Sequence, residues 1–102
     1  MARISYKVTV SGLVQGVGFR ASMKDIAIRH AVDGWVRNTE GGSVEALLQG
    51  EPAGVNRVLQ WAKLGPPGAE VSSVETTQLK ECPPQSGFHV LVPEWSGRAP
   101  NR

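Results

Sequence analysis

The sequence predicts an α+β fold, a two-layer sandwich with two helices on one face of an antiparallel sheet. Three observations predict it. Apolar and polar residues alternate in several short stretches, two longer stretches carry apolar residues at helical spacing, and glycine- or proline-rich breaks separate them in the order β-α-β-β-α-β. At 102 residues the chain suits one domain, large enough to bury a core without disulfides or metal.

The first strand covers residues 5–13, where Tyr6, Val8 and Val10 share one face and Lys7, Thr9 and Ser11 the other. A glycine-rich stretch then breaks the period. From Phe19 to Val32, Met23, Ile26, Ala27, His30 and Ala31 recur at helical spacing, with Lys24 and Arg29 off that face. Asp33-Gly34 is expected to end this helix, Gly34 taking the left-handed position. Residues 35–39 and 43–49 read as two strands of a hairpin around Glu40-Gly41-Gly42, with Val44, Ala46 and Leu48 on one face. Glu51-Pro52 opens a second helix carrying Val55, Val58, Leu59 and Ala62 on one side, and the run GPPG at 65–68 stops it. A strand over 70–80 is anchored by Val71, Val74 and Leu79, and a last one over 88–92 presents Phe88, Val90 and Val92. With the segments at 70–80 and 88–92 either separate or nearly continuous, the order β-α-β-β-α-β is that of the split βαβ, or ferredoxin-like, arrangement. The domain is expected to span residues 1–92, with 93–102 a loosely held tail lacking periodicity.

A hydrophobic share of 40% and a charged share of 20% are those of an ordinary soluble globular protein. The net charge of +2 biases the chain mildly toward anions but is too small to indicate nucleic acid. Cys82 is the one cysteine and lies beside Pro83 and Pro84, away from any His or basic cluster, so it reads as an incidental thiol. The N-terminus lacks the apolar region of a secretion signal, and no run reaches membrane-spanning length. A cytoplasmic monomer with no membrane or nucleic-acid partner is the expectation.

The chemistry concentrates in VQGVGFR, residues 14–20, between the first strand and the first helix. Glycines let successive N–H groups turn inward and form an anion nest, and the helix that follows points its own donors at the same spot. Arg20, in the first helical turn, adds a guanidinium fork matched to two phosphoryl oxygens. The competing reading is a tight turn with a solvated arginine; a cation at a helix N-terminus costs roughly 0.3–1 kcal/mol. A Walker A loop fails because Gly18 is followed by Phe19-Arg20 rather than Lys-Ser/Thr. Gly16, Gly18 and Ala21 match a dinucleotide fingerprint in letters only, since the chain is too short for repeated parallel βαβ units and contains hairpins. An RNA-recognition motif would place its aromatic-glycine core on a central strand, not in this turn.

Two long segments resemble the signatures of the acylphosphatase family: VSGLVQGVGFR at 10–20, and GWVRNTEGGSVEALLQG at 34–50, which fits G-[WY]-V-x-N-x-x-x-G-S-V-E. GPPGAEV at 65–71 and FHVLV at 88–92 fit the family's later segments, so the resemblance covers about residues 5–92. It implies hydrolysis of acyl phosphates to carboxylate and inorganic phosphate, without metal or cofactor and with a small-molecule substrate. It further implies that Arg20 and Asn38 are catalytic and that the backbone of Gln15, Gly16, Val17, Gly18, Phe19 and Arg20 cradles the phosphate. On residue type alone, Asn38 equally suits a strand end that satisfies a turn. Departures are Ala21-Ser22, where the family usually has an aromatic, the TEGG turn, and the tail after Val92. The rival class is a non-catalytic ferredoxin-like module that binds phosphate, RNA or a partner, and the resemblance also admits the acylphosphatase-like domain of hydrogenase-maturing carbamoyltransferases.

Among the remaining residues, Trp35 is expected on the core or a sheet face, Trp61 at a surface edge, and His30 at the border of the core. Arg37 is expected as a solvated charge on the sheet face opposite Asn38. His30 and His89 lack partners at metal-ligand spacing.

Overall fold

The structure is a computed structural model that describes residues 3–92; the expected tail at 93–102 lies outside the described residues. The elements run β1 (Ile4–Leu13), α1 (Phe19–Arg29), β2 (Asp33–Asn38), β3 (Val44–Gly50), α2 (Pro52–Leu64), β4 (Glu70–Gln78) and β5 (Phe88–Val90). The strands form one sheet in the order β4-β1-β3-β2-β5. β1 pairs antiparallel with β3 and β4, and β2 antiparallel with β3. The two helices cover one face, and the fold is the expected ferredoxin-like α+β sandwich. One pairing departs from an all-antiparallel sheet: β5 runs parallel to β2 along its outer edge. Among the described residues no helix is long and apolar enough to cross a membrane.

Strand alternation builds the core as expected. Val8, Val10, Val36, Val44, Ala46 and Leu48 all point to the helical face and are buried. Met23 and Ala27 from α1, and Val55, Val58 and Ala62 from α2, close over them. Such burial stabilises the fold by roughly 1.5–3 kcal/mol per large side chain. Trp61 is not a surface edge residue: its ring centroid lies 5.0 Å from that of buried Phe19, and it packs against the core. The last strand is shorter than expected. Phe88 is buried, but Val90 and Val92 are exposed, because an edge strand beyond β2 extends past the cover of α1.

The first helix also ends earlier than its period suggests. Its last residue is Arg29, and Ala31, not Gly34, takes the left-handed conformation at φ 56°. The amide of Val32 bonds Ala27 O at 2.8 Å and that of Ala31 bonds Ile28 O at 3.2 Å, the paired closure of a Schellman motif. Gly34 instead belongs to β2, where a Cβ would sit 1.8 Å from Leu47 O on the neighbouring strand. Its glycine serves close strand approach rather than helix termination.

On the open face, Arg37 Nε and Nη2 donate to Glu45 Oε1 at 2.9 and 2.7 Å, and Lys7 Nζ lies 3.0 Å from Oε2. Both cations also approach the half-buried Trp35 ring, Arg37 at 5.3 Å from its centroid. Arg37 is therefore paired, not simply solvated, because the antiparallel register sets it directly opposite Glu45. Burial pushes the Glu45 carboxyl up, but its hydrogen bonds and charge attraction to Arg37 and Lys7 outweigh that and hold it below the usual carboxylate range.

Two outcomes follow for urea unfolding. Ala31→Gly relieves the left-handed Ala and stabilises the protein by roughly 0.5–1 kcal/mol after allowing for the looser unfolded chain. Glu45→Gln is destabilising at pH 7. Because the carboxyl holds its proton less tightly when folded than unfolded, that deficit narrows as pH falls below about 4, through the depressed folded value.

Candidate active site

The connection from β1 to α1 is fixed at both ends by the core. Val14 and Phe19 are 1% and 2% exposed, and the four residues between them bulge outward. Gly16 and Gly18 sit at φ 79° and 80°, a left-handed pair of the kind that backbone anion nests use. A Cβ on either would meet nothing within 4 Å, so it is the dihedral, not crowding, that calls for glycine. Gly18 is the N-cap of α1, with no side-chain cap and no acidic residue in the first turn. The first backbone bond of the helix runs from the Ser22 amide to Gly18 O. Among the described residues, the amides of Gln15 through Arg20 therefore donate to no protein acceptor.

Arg20 follows in the first turn of α1. The ion pairs among the described residues use Arg3, Lys7 and Arg37 as cations, and Arg20 enters none of them. Asn38 is the last residue of β2, on the same side of the strand as Val36 and hence on the helical face. Its Oδ1 is buried and has no hydrogen-bond partner among the described residues. Arg20 and Asn38 line one cavity of about 180 Å³ with Val14, Gly16, Gly18, Phe19, Ala21 and Val90. Two wider grooves, along Lys63 and Val71–Val74 and between α1 and α2, are more open to solvent.

Of the residues singled out from sequence, Arg20, Asn38, Gly16, Gly18 and Phe19 thus share one cavity wall. Gln15 and Val17 do not line it: Val17 packs against the core, and the Gln15 side chain turns toward the β2–β3 hairpin. Ala21, noted as a departure, contributes a small side chain to the wall. Val14 and Val90 were not expected there. Val90 reaches it because β5 lies parallel to β2, a pairing that strand periodicity does not encode. Among the described residues no three His, Cys, Asp or Glu side chains converge as metal ligands.

The acylphosphatase family model matches residues 6–90. The chain belongs to the acylphosphatase family. It is 51% identical over 76 residues to an acylphosphatase of Pyrobaculum islandicum, covering 74% of this chain and 80% of that one. Among solved structures it resembles an acylphosphatase from Coxiella burnetii, with a TM-score of 0.83 and 37% identity over 87% of this chain and 93% of that one. The acylphosphatase of Bacillus subtilis superposes with a TM-score of 0.84 at 30% identity, covering 86% of this chain and 98% of its own.

A buried, unpartnered acceptor costs about 1–3 kcal/mol. If Asn38 served a turn, its removal would destabilise the fold. We expect instead that Asn38→Ala leaves the free energy of urea unfolding unchanged or raises it by about 1 kcal/mol. A clear loss of stability would return Asn38 to a structural role.

Proposed function

We propose that the chain hydrolyses the carboxyl–phosphate bond of acyl phosphates, with Arg20 and the amides of residues 15–20 binding the phosphoryl oxygens and Asn38 orienting the attacking water. Family membership supports the reaction class. One observation carries the division of labour. Arg20, Gly16, Gly18 and Asn38 line one cavity, the amides of residues 15–20 have no protein acceptor among the described residues, and the Asn38 Oδ1, which only accepts, is buried without a partner. The phosphoryl dianion of an acyl phosphate satisfies the donors but carries no hydrogen for Oδ1. A water molecule does, and it would lie between Oδ1 and the phosphorus.

The chemistry needs little more. Water oxygen forms a bond to phosphorus as the bond from phosphorus to the carboxyl oxygen breaks, and that electron pair leaves on the carboxylate. The water proton passes to the phosphate product or to solvent. The leaving carboxylate has a conjugate acid of pKa about 4, so it departs without a general acid. The transition state is loose, and positioning and charge stabilisation carry most of the rate. Helix α1 presents its positive end to the developing charge. A neutral amide suffices to hold the nucleophile, because its deprotonation lags departure of the carboxylate. The setting we propose is a cytoplasmic monomer; the lone cysteine, exposed Cys82, supports a reducing compartment.

Release of phosphate from benzoyl phosphate tests the assignment. Arg20→Gln and Asn38→Ala each lower kcat by at least about 10²-fold while the circular dichroism spectrum is kept. Arg20→Gln also weakens competitive inhibition by inorganic phosphate, whereas Asn38→Ala changes that inhibition little. Wild-type rates in either variant overturn the reading, and equal turnover of p-nitrophenyl phosphate argues against a carboxylate leaving group.

A further inference from the structure

The two halves of the cavity come from strands that do not touch. β1 and β2 are parallel to each other, each antiparallel to β3 between them, so their carboxyl ends share one edge of the sheet. Two strand spacings, about 9.6 Å, separate them. Something must fix the 14–18 loop relative to the end of β2 across that gap.

Gln15 spans it. Its Nε2 donates to Thr39 O at 2.8 Å and to Ser43 O at 2.9 Å. These carbonyls face each other across the mouth of the β2–β3 hairpin, which is itself tightened by the Thr39 amide on Ser43 O at 2.9 Å and by the Thr39 and Ser43 hydroxyls at 2.7 Å. Both partners of Gln15 are carbonyls, which only accept, so the side chain must present its NH₂ with both protons engaged. No other side chain of similar length offers two donors from one uncharged planar group. Thr39 directly follows Asn38, and Gln15 directly precedes the left-handed Gly16. A two-pronged link therefore joins the backbone beside the water-holding amide to the backbone beside the anion cup.

We propose that Gln15 is a positioning residue: through its side-chain amide it sets the distance and angle between the phosphate-binding loop and the Asn38 carboxamide, and so the in-line placement of water. This rests on the function proposed above. The Gln15 side chain lines no part of the cavity and acts through Asn38 alone. Its own backbone amide survives any substitution other than proline. Its contribution should therefore fall on turnover and not on phosphate affinity, and a misplacement of about 1 Å costs up to 10²-fold in rate.

The test is a double-mutant cycle on benzoyl phosphate hydrolysis, with inhibition by inorganic phosphate measured in parallel. Gln15→Met keeps the length and removes both donors. The expected result is a kcat about 10- to 100-fold lower, phosphate inhibition within about threefold of wild type, and Gln15→Met/Asn38→Ala no slower than Asn38→Ala alone. Should Gln15→Met not fold, Gln15→Glu enters the same cycle, since it sets oxygen against both carbonyls without changing size. A kcat within twofold of wild type, a rate loss that multiplies with that of Asn38→Ala, or a phosphate inhibition constant that rises with the fall in kcat would each overturn the inference. The two readings fail separately: a wild-type rate in Asn38→Ala sinks the assignment of Asn38, while an inactive Asn38→Ala beside an unaffected Gln15→Met sinks only the role of Gln15.

Discussion

The site depends on a loop that is clamped at both ends and tied down between them. Val14 and Phe19 are core residues, the latter seated against Trp61, and between them the chain has no room to fray. Val17 packs against the core and the Gln15 side chain is tied to the β2–β3 hairpin, so the left-handed Gly16 and Gly18 set the path of a backbone whose amides meet no protein acceptor among the described residues. Hydrophobic packing at Val14, Val17 and Phe19 thus holds a loop whose backbone amides are unpaired among the described residues. A looser anchor at either end would let those amides find solvent in many geometries, and preorganisation would be lost before any side chain in the cavity changed.

Topology does the rest. In this strand order the N-terminus of α1, the carboxyl ends of β1, β2 and β5, and the β2–β3 turn all lie along one edge of the sheet. The arrangement brings Arg20, Asn38 and Val90 to one cavity although they are separated by long stretches of sequence. Strand alternation then decides which side chains enter. Asn38 shares the helical face with Val36, while its neighbour Arg37 is sent to the open face and into the Glu45 pair. A one-residue slip in β2 would exchange the two, placing a second cation in the cavity and burying the neutral amide's position under charge.

The fold was legible where local period and core burial coincide. Met23 and Ala27, Val55 and Val58, and the alternating valines of β1 and β3 all appear in the core as their spacing requires. It was misread where tertiary geometry overrode a local signal. Asp33-Gly34 has the letters of a helix stop, yet the approach of Leu47 O makes Gly34 a strand residue and leaves Ala31 to carry the positive φ. The periodicity of 88–92 cannot say that β5 is an edge strand ending at Val90, with Val90 and Val92 exposed. Within the cavity, Arg20, Gly16 and Gly18 were legible because glycine and arginine before an uncapped helix are physically unusual together. The resemblance to a family added Asn38. The link from Gln15 was not legible, because a side-chain bond to two backbone carbonyls across a sheet leaves no trace in spacing or composition.

Each departure from ordinary local rules at this edge is one that an acyl phosphate and its water would relieve. Arg20 lies at the positive end of α1, where a cation is unfavourable, and forms no ion pair among the described residues. Among the described residues the amides of Gln15 through Arg20 lack acceptors, and Asn38 Oδ1 is buried without a donor. A random assortment of such costs would have no common remedy. Here the unmet donors and the cation suit an oxygen-rich anion, and the unmet acceptor suits a hydrogen that an acyl phosphate dianion does not carry. On the proposed function, the complement of the cavity is two species side by side, an anion and a protic nucleophile. On the function proposed above, the buried acceptor of Asn38 is the place for that nucleophile, whose binding energy is then realised where the phosphoryl bond is split.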